Sequence, residues 1–113
     1  MMHRLDLVGF DRFDVDTVEE VKEKMKPLIN KYDQMFDTDT IQAFRLSVKT
    51  TKKDGGKDLH ELTMLLNTTL GDFRVRKDGW EILSLVDEME SVLERQIKEK
   101  KERIIKDRKG RNA

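Results

Sequence analysis

The side chains best equipped to do chemistry in this chain are cations, and the chemistry open to them is to meet an anion. From Arg95 to Ala113 there are nine: Arg95, Lys98, Lys100, Lys101, Arg103, Lys106, Arg108, Lys109 and Arg111. Three acids stand against them, Glu99, Glu102 and Asp107, which leaves a surplus of six positive charges. The whole chain is neutral, with 23 Lys+Arg and 23 Asp+Glu, so the first 94 residues hold the opposite surplus, 14 basic against 20 acidic. An acidic body with a basic C-terminal arm suits a polyanionic partner. The competing reading is a solvated helix end whose cations complement the helix dipole and aid solubility.

A second set of cations, Arg45, Lys49, Lys52, Lys53, Lys57, Arg74, Arg76 and Lys77, lies in the alternating middle of the chain. These residues can meet phosphates without reading base sequence, or they can protect an exposed sheet face and its edges. Trp80, the single Trp, and Tyr32, the single Tyr, could stack on bases. A Trp at a helix start more often closes a core, and packing is the expectation for Trp80. No aromatic strand signature of the kind that stacks single-stranded RNA is present.

Catalysis finds little to work with. There is no Cys, which excludes a disulfide scaffold and Cys-ligated metal. His3 and His60 are the only histidines, and neither has a partner at ligand spacing. Asp37-Thr38-Asp39 lacks the Gly and closing Glu of a calcium loop. Asp37/Asp39 and Glu19/Glu20 read as turn and cap residues with no nucleophile beside them. Gly55-Gly56-Lys57 is hairpin-like and no phosphate-binding P-loop appears. The expectation is a protein that is not an enzyme and needs no cofactor or metal. Apolar runs are too short for a membrane span, and the first residues lack the apolar core of a signal peptide.

The elements that must position these cations follow from periodicity. His3 to Phe10 alternates as a short strand that Gly9 ends or bulges. Asp16 or Thr17 caps a helix, each with a Glu three residues on. Its stripe is Val18, Val21, Met25, Leu28, Ile29, Tyr32 and Phe36. Pro27 interrupts that stripe and is expected to kink or divide the helix near Met25. Thr40 to Lys49 alternates with Phe44, Leu46 and Val48 inward. Residues 52–58 are a turn by composition, and Leu59 to Leu70 alternates with Leu62, Met64 and Leu66 inward. Gly71-Asp72 signals a second hairpin and Phe73 to Arg76 a short last strand. Asp78-Gly79 then opens a long helix with Ile82, Leu83, Val86, Met89, Leu93 and Ile97 as its stripe. The expected fold is α+β in the order β-α-β-β-β-α, two helices packed on one face of a four-stranded sheet. The 113 residues form one domain in this reading, with a basic arm over about residues 99–113 that can fray.

That order resembles the ribosome hibernation-promoting factors, also described as the ribosome-associated inhibitor or sigma-54 modulation family. Glu81-Ile82-Leu83, Val86-Asp87-Glu88 and Leu93-Glu94-Arg95-Gln96-Ile97 resemble the family's second helix, which commonly ends Leu-Glu-Arg-Gln-Leu before a basic tail. Leu28-Ile29-Asn30-Lys31-Tyr32 resembles the end of its first helix. The chain departs from the pattern in three places. The turn after the first strand, Val8-Gly9-Phe10-Asp11-Arg12, is less basic, an early helix aromatic is Leu83, and a frequent Lys is Val92. The resemblance implies a divergent short form, cytoplasmic, that restrains translation by occupying the small ribosomal subunit.

The expected partner is therefore the small ribosomal subunit or another structured RNA, with no membrane, the protein itself being a monomer or weak dimer. The expected RNA-binding residues are Arg95, Lys98, Lys101 and Arg103, with Arg74 and Arg76 secondary. The alternative is a non-enzymatic protein-interaction module in which Ile97, Ile104 and Ile105 on the long last helix form a seam with a partner helix.

Overall fold

The computed structural model describes residues 5–36 and 41–111, with residues 36 and 104–111 described as backbone only. His3, Asp37 and Asp39 lie outside the described residues, as do the side chains of Ile104 and Ile105. In chain order the elements are β1 (Leu5–Val8), α1 (Val15–Phe36), β2 (Ile41–Lys52), β3 (Asp58–Thr68), β4 (Gly71–Gly79) and α2 (Ile82–Arg111). The sheet runs β1-β2-β3-β4, with β1 parallel to β2 and the other neighbours antiparallel. It is the expected α+β order, with a mixed sheet.

Register explains why one face is buried. Leu5, Phe44, Leu66 and Phe73 are cross-strand partners in one row, and Leu7, Leu46, Met64 and Val75 form the next. Side chains alternate along a strand, so both rows point to the same side. The helices cover that side and touch one another there. Tyr32 of α1 meets Phe44 edge-on, ring centroids 5.8 Å apart. Leu28 of α1 and Leu93 of α2 are buried in the same cluster. Val48 is the least covered of the six expected core residues, packed at the margin.

Several boundaries differ from the sequence reading. Asp14 caps α1, its Oδ1 accepting the Thr17 N–H at 2.7 Å, two to three residues before the expected cap. The first turn carries no buried apolar residue, Val15 being 75% exposed, so the apolar stripe cannot report it. The Thr17 hydrogen bond also holds the Asp14 carboxyl below its usual pKa. Pro27 does not divide α1, which is one helix across it. Pro27 faces solvent, where water can take the carbonyl that the missing N–H leaves free. The β3–β4 turn is Thr69-Leu70, two residues ahead of the expected Gly71-Asp72. The Thr68 hydroxyl closes it, donating to the Gly71 carbonyl at 2.6 Å and accepting from the Leu70 N–H at 3.1 Å. Gly71 takes a φ of 135°, open only to glycine. Asp78-Gly79 belongs to β4, because β3 extends far enough to pair Glu61 with Asp78 and His60 with Gly79. α2 starts later, its first turn including a Leu85 N–H bond to the Glu81 carbonyl at 3.1 Å.

The Tyr32 side chain is fully buried, and among the described residues its hydroxyl has no hydrogen-bond partner. Burial, then the charges of Glu90 and Glu94, raise its pKa and keep it neutral. A buried hydroxyl without a partner costs free energy. Tyr32→Phe should therefore leave stability unchanged or raise it by up to about 2 kcal/mol in urea unfolding. A clear loss would show that the hydroxyl is satisfied in solution.

Candidate nucleic-acid interface

α2 positions the arm. Its buried stripe of Ile82, Leu85, Val86, Met89, Leu93 and Ile97 pins the first half to the sheet, with Leu85 taking the place expected for the half-buried Leu83. Across the helix pair, Lys31 of α1 reaches Glu90 at 3.2 Å and Glu94 at 3.0 Å, and Lys24 reaches Asp87 at 2.9 Å. The Lys31–Glu94 bond raises the Lys31 pKa and lowers that of Glu94. The Glu94 contribution is present above its ordinary 4.5 and is lost as pH falls through the lowered folded value. The Lys31 contribution is present below its ordinary 10.5 and is lost as pH rises through the raised one. With side chains 42% and 29% exposed, solvent screening keeps the pair below about 1 kcal/mol.

The other half of α2 leaves the sheet. A Cβ built on Gly71, at the β3–β4 hairpin, would lie 3.9 Å from the Lys100 side chain, so the helix passes the end of the sheet near Lys100. The eleven helical residues after it add about 16 Å. The molecule is accordingly 61 Å long and only 16 Å thick.

Arg95 and Lys98 lie on the part of α2 that packs on the sheet and are exposed; beyond Lys100, Arg103 is exposed and Lys101 is half-buried. Lys98 also touches Glu94 at 3.3 Å. At about 100° per residue the four expected cations spread around about 200° of the helix. That arc is the side of α2 opposite the buried Leu93 and Ile97, so the four cations occupy its solvent face. Ile97, expected in the seam of the alternative reading, is fully buried in the core, which shortens that seam to Ile104 and Ile105.

The open sheet face is built from the residues between the core rows. Asp6, Arg45, Leu65 and Arg74 pair across it, then Val8, Ser47, Thr63 and Arg76, then Lys49, Glu61 and Asp78. Arg74 and Arg76 are exposed there as expected, and Arg76 meets Glu61 at 3.3 Å. Acids interleave with cations, so this face is mixed in charge and secondary to the arm. Lys77 is not part of it: it follows Phe73 and Val75 on the helix side and lies 3.8 Å from Glu88 of α2.

The aromatics exchange roles relative to the sequence reading. Tyr32, a stacking candidate, is buried. Trp80, expected as a core lid, is 55% exposed, with the Lys57 ammonium 6.0 Å from its ring centroid. The extra length of β4 is the reason. Trp80 falls in the bend between β4 and α2 and not on the first turn of a helix facing the core. His60 stands at the rim, its Nδ1 2.9 Å from the Thr50 hydroxyl and its ring 5.4 Å from that of Phe13. Among the described residues no cluster of His, Cys, Asp or Glu could hold a metal ion, and no helix is long and apolar enough to cross a membrane. In comparisons with known proteins, no family model and no curated protein matches the chain.

Proposed function

We propose that this chain is a cytoplasmic ribosome-associated or structured-RNA-binding protein of the hibernation-factor kind, which modulates translation by occupying the small ribosomal subunit. The observation that carries the reading is the row of cations from Arg95 to Arg103 on the solvent side of α2, which runs on past the end of the sheet. RNA phosphates supply the complementary charge whatever the base sequence. The mechanism is occupancy: a helix about 10–12 Å wide with its side chains, anchored to the core through its first half, fills a channel that another ligand would need. No bond is made or broken, so no catalytic residue is required. The acidic body supports the same reading, since repulsion from RNA orients the arm inward.

The test is co-sedimentation with ribosomes from growing and from starved cells, at low and at high salt. The expected result is protein in the small-subunit fractions at low salt, enriched on starvation and released at high salt. Protein that stays at the top of the gradient at low salt would reject the reading.

A further inference from the structure

β4 is the last strand of the sheet, so one of its edges has no strand beside it. Three features lie along that strand, the first on its helix side and the second on its open face. At its start Gly71 lies against Lys100, where α2 leaves the sheet. In its middle Arg74 and Arg76 project from the open face, and Gln96 of α2 donates its side-chain N–H to the Arg74 carbonyl at 3.4 Å. This contact ties the basic part of α2 to the arginine strand. Beyond its end is the exposed Trp80, with Lys57 over the ring. The distance from Gly71 to Trp80 is about 30 Å at the usual rise of a strand.

A large exposed aromatic beside a cation, in line with spaced arginines, is the combination that holds a single strand. Phosphates follow the cations, and a base stacks on the ring irrespective of its identity. A duplex cannot use the ring, because its bases are already stacked. Asp72 and Asp78 interrupt the row and Glu61 meets Arg76 at 3.3 Å, which confines the positive stretches of this face to Arg74 with Arg76 and to Lys57. We propose that the open face of β4 is a single-stranded RNA track, running from Arg74 and Arg76 to an unpaired base stacked on Trp80. The proposal rests on the reading of the chain as an RNA binder and specifies the form of RNA it takes.

Trp80 is the only Trp in the chain, so its fluorescence reports the site without a label. The full-length protein is titrated at low salt with an unstacked oligouridylate of roughly ten nucleotides and with a blunt duplex of equal length, following Trp80 emission and the anisotropy of labelled RNA. The expected result is saturable quenching by the single strand and little by the duplex. Trp80→Ala should weaken single-strand binding by roughly 5- to 100-fold, while Trp80→Phe restores most of it and circular dichroism stays unchanged in both. Single-strand binding that leaves Trp80 emission untouched, equal quenching by the duplex, or no binding of the single strand at low salt would each overturn the track. Ribosome co-sedimentation separates the two ideas. Association kept in Trp80→Ala with no quenching in the parent removes the track and leaves the arm, whereas absence of ribosome association removes the broader reading.

Discussion

Replacing Arg95, Lys98, Lys101 and Arg103 together by Gln should cost most of the affinity for ribosomes or RNA at low salt. Each cation that neutralises a phosphate releases counterions, and removing one lowers the salt slope by about 0.7–0.9. Four of them should make the slope shallower by about 3. The parent would then lose roughly 50- to 150-fold more affinity than the variant between 50 and 200 mM salt. Folding should hardly respond, because Gln has a helix propensity close to that of Lys and Arg. The Lys98–Glu94 pair that the change breaks has its lysine end exposed and contributes a few tenths of a kcal/mol. Truncation after Glu102 should act in the same direction by removing Arg103, Lys106, Arg108, Lys109 and Arg111. Binding measured by anisotropy at several salt concentrations checks both. Parent-like affinity and slope in both variants would transfer the binding role to Arg45, Arg74 and Arg76 on the open face.

Leu66→Ala should destabilise the fold by about 2–5 kcal/mol. Leu66 is fully buried between Phe44 and Phe73 in the row that crosses all four strands. Truncating it removes buried methyl groups and leaves a space that its flanking rings can fill only in part. Urea unfolding measures the loss directly, through a lower midpoint at unchanged slope. A change near zero would mean that Leu66 is on the open face and that the strand register is shifted by one, since a single-residue slip exchanges the two faces.

Strand parity made most of the fold legible. Phe44, Leu46 and Val48 alternate with Arg45, Ser47 and Lys49, and a half-buried sheet is the structure that uses such a period. The same parity places Lys77 on the helix side with Phe73 and Val75, although its membership in a run of basic residues drew attention to the other face. The ends of elements were less legible, for a physical reason. Whether Asp78-Gly79 continues a strand or opens a helix depends on how far β3 extends beside it, which is a tertiary quantity. That single boundary decides whether Trp80 faces the core or solvent. Asp14 was recoverable as a cap from its residue type alone, but Asp16 and Thr17 offered the same chemistry closer to the apolar stripe. The arm was legible as charge. The approach of Lys100 to Gly71 depends on how α2 crosses the sheet, which no local pattern encodes.

The decisive measurement is the affinity of the intact protein for purified small ribosomal subunits as a function of salt. Binding by the arm predicts a straight line of log affinity against log salt, with a steep negative slope that flattens by about 3 in the fourfold Gln variant. A salt-independent affinity, or the same slope in parent and variant, would contradict phosphate recognition by the cationic end of α2.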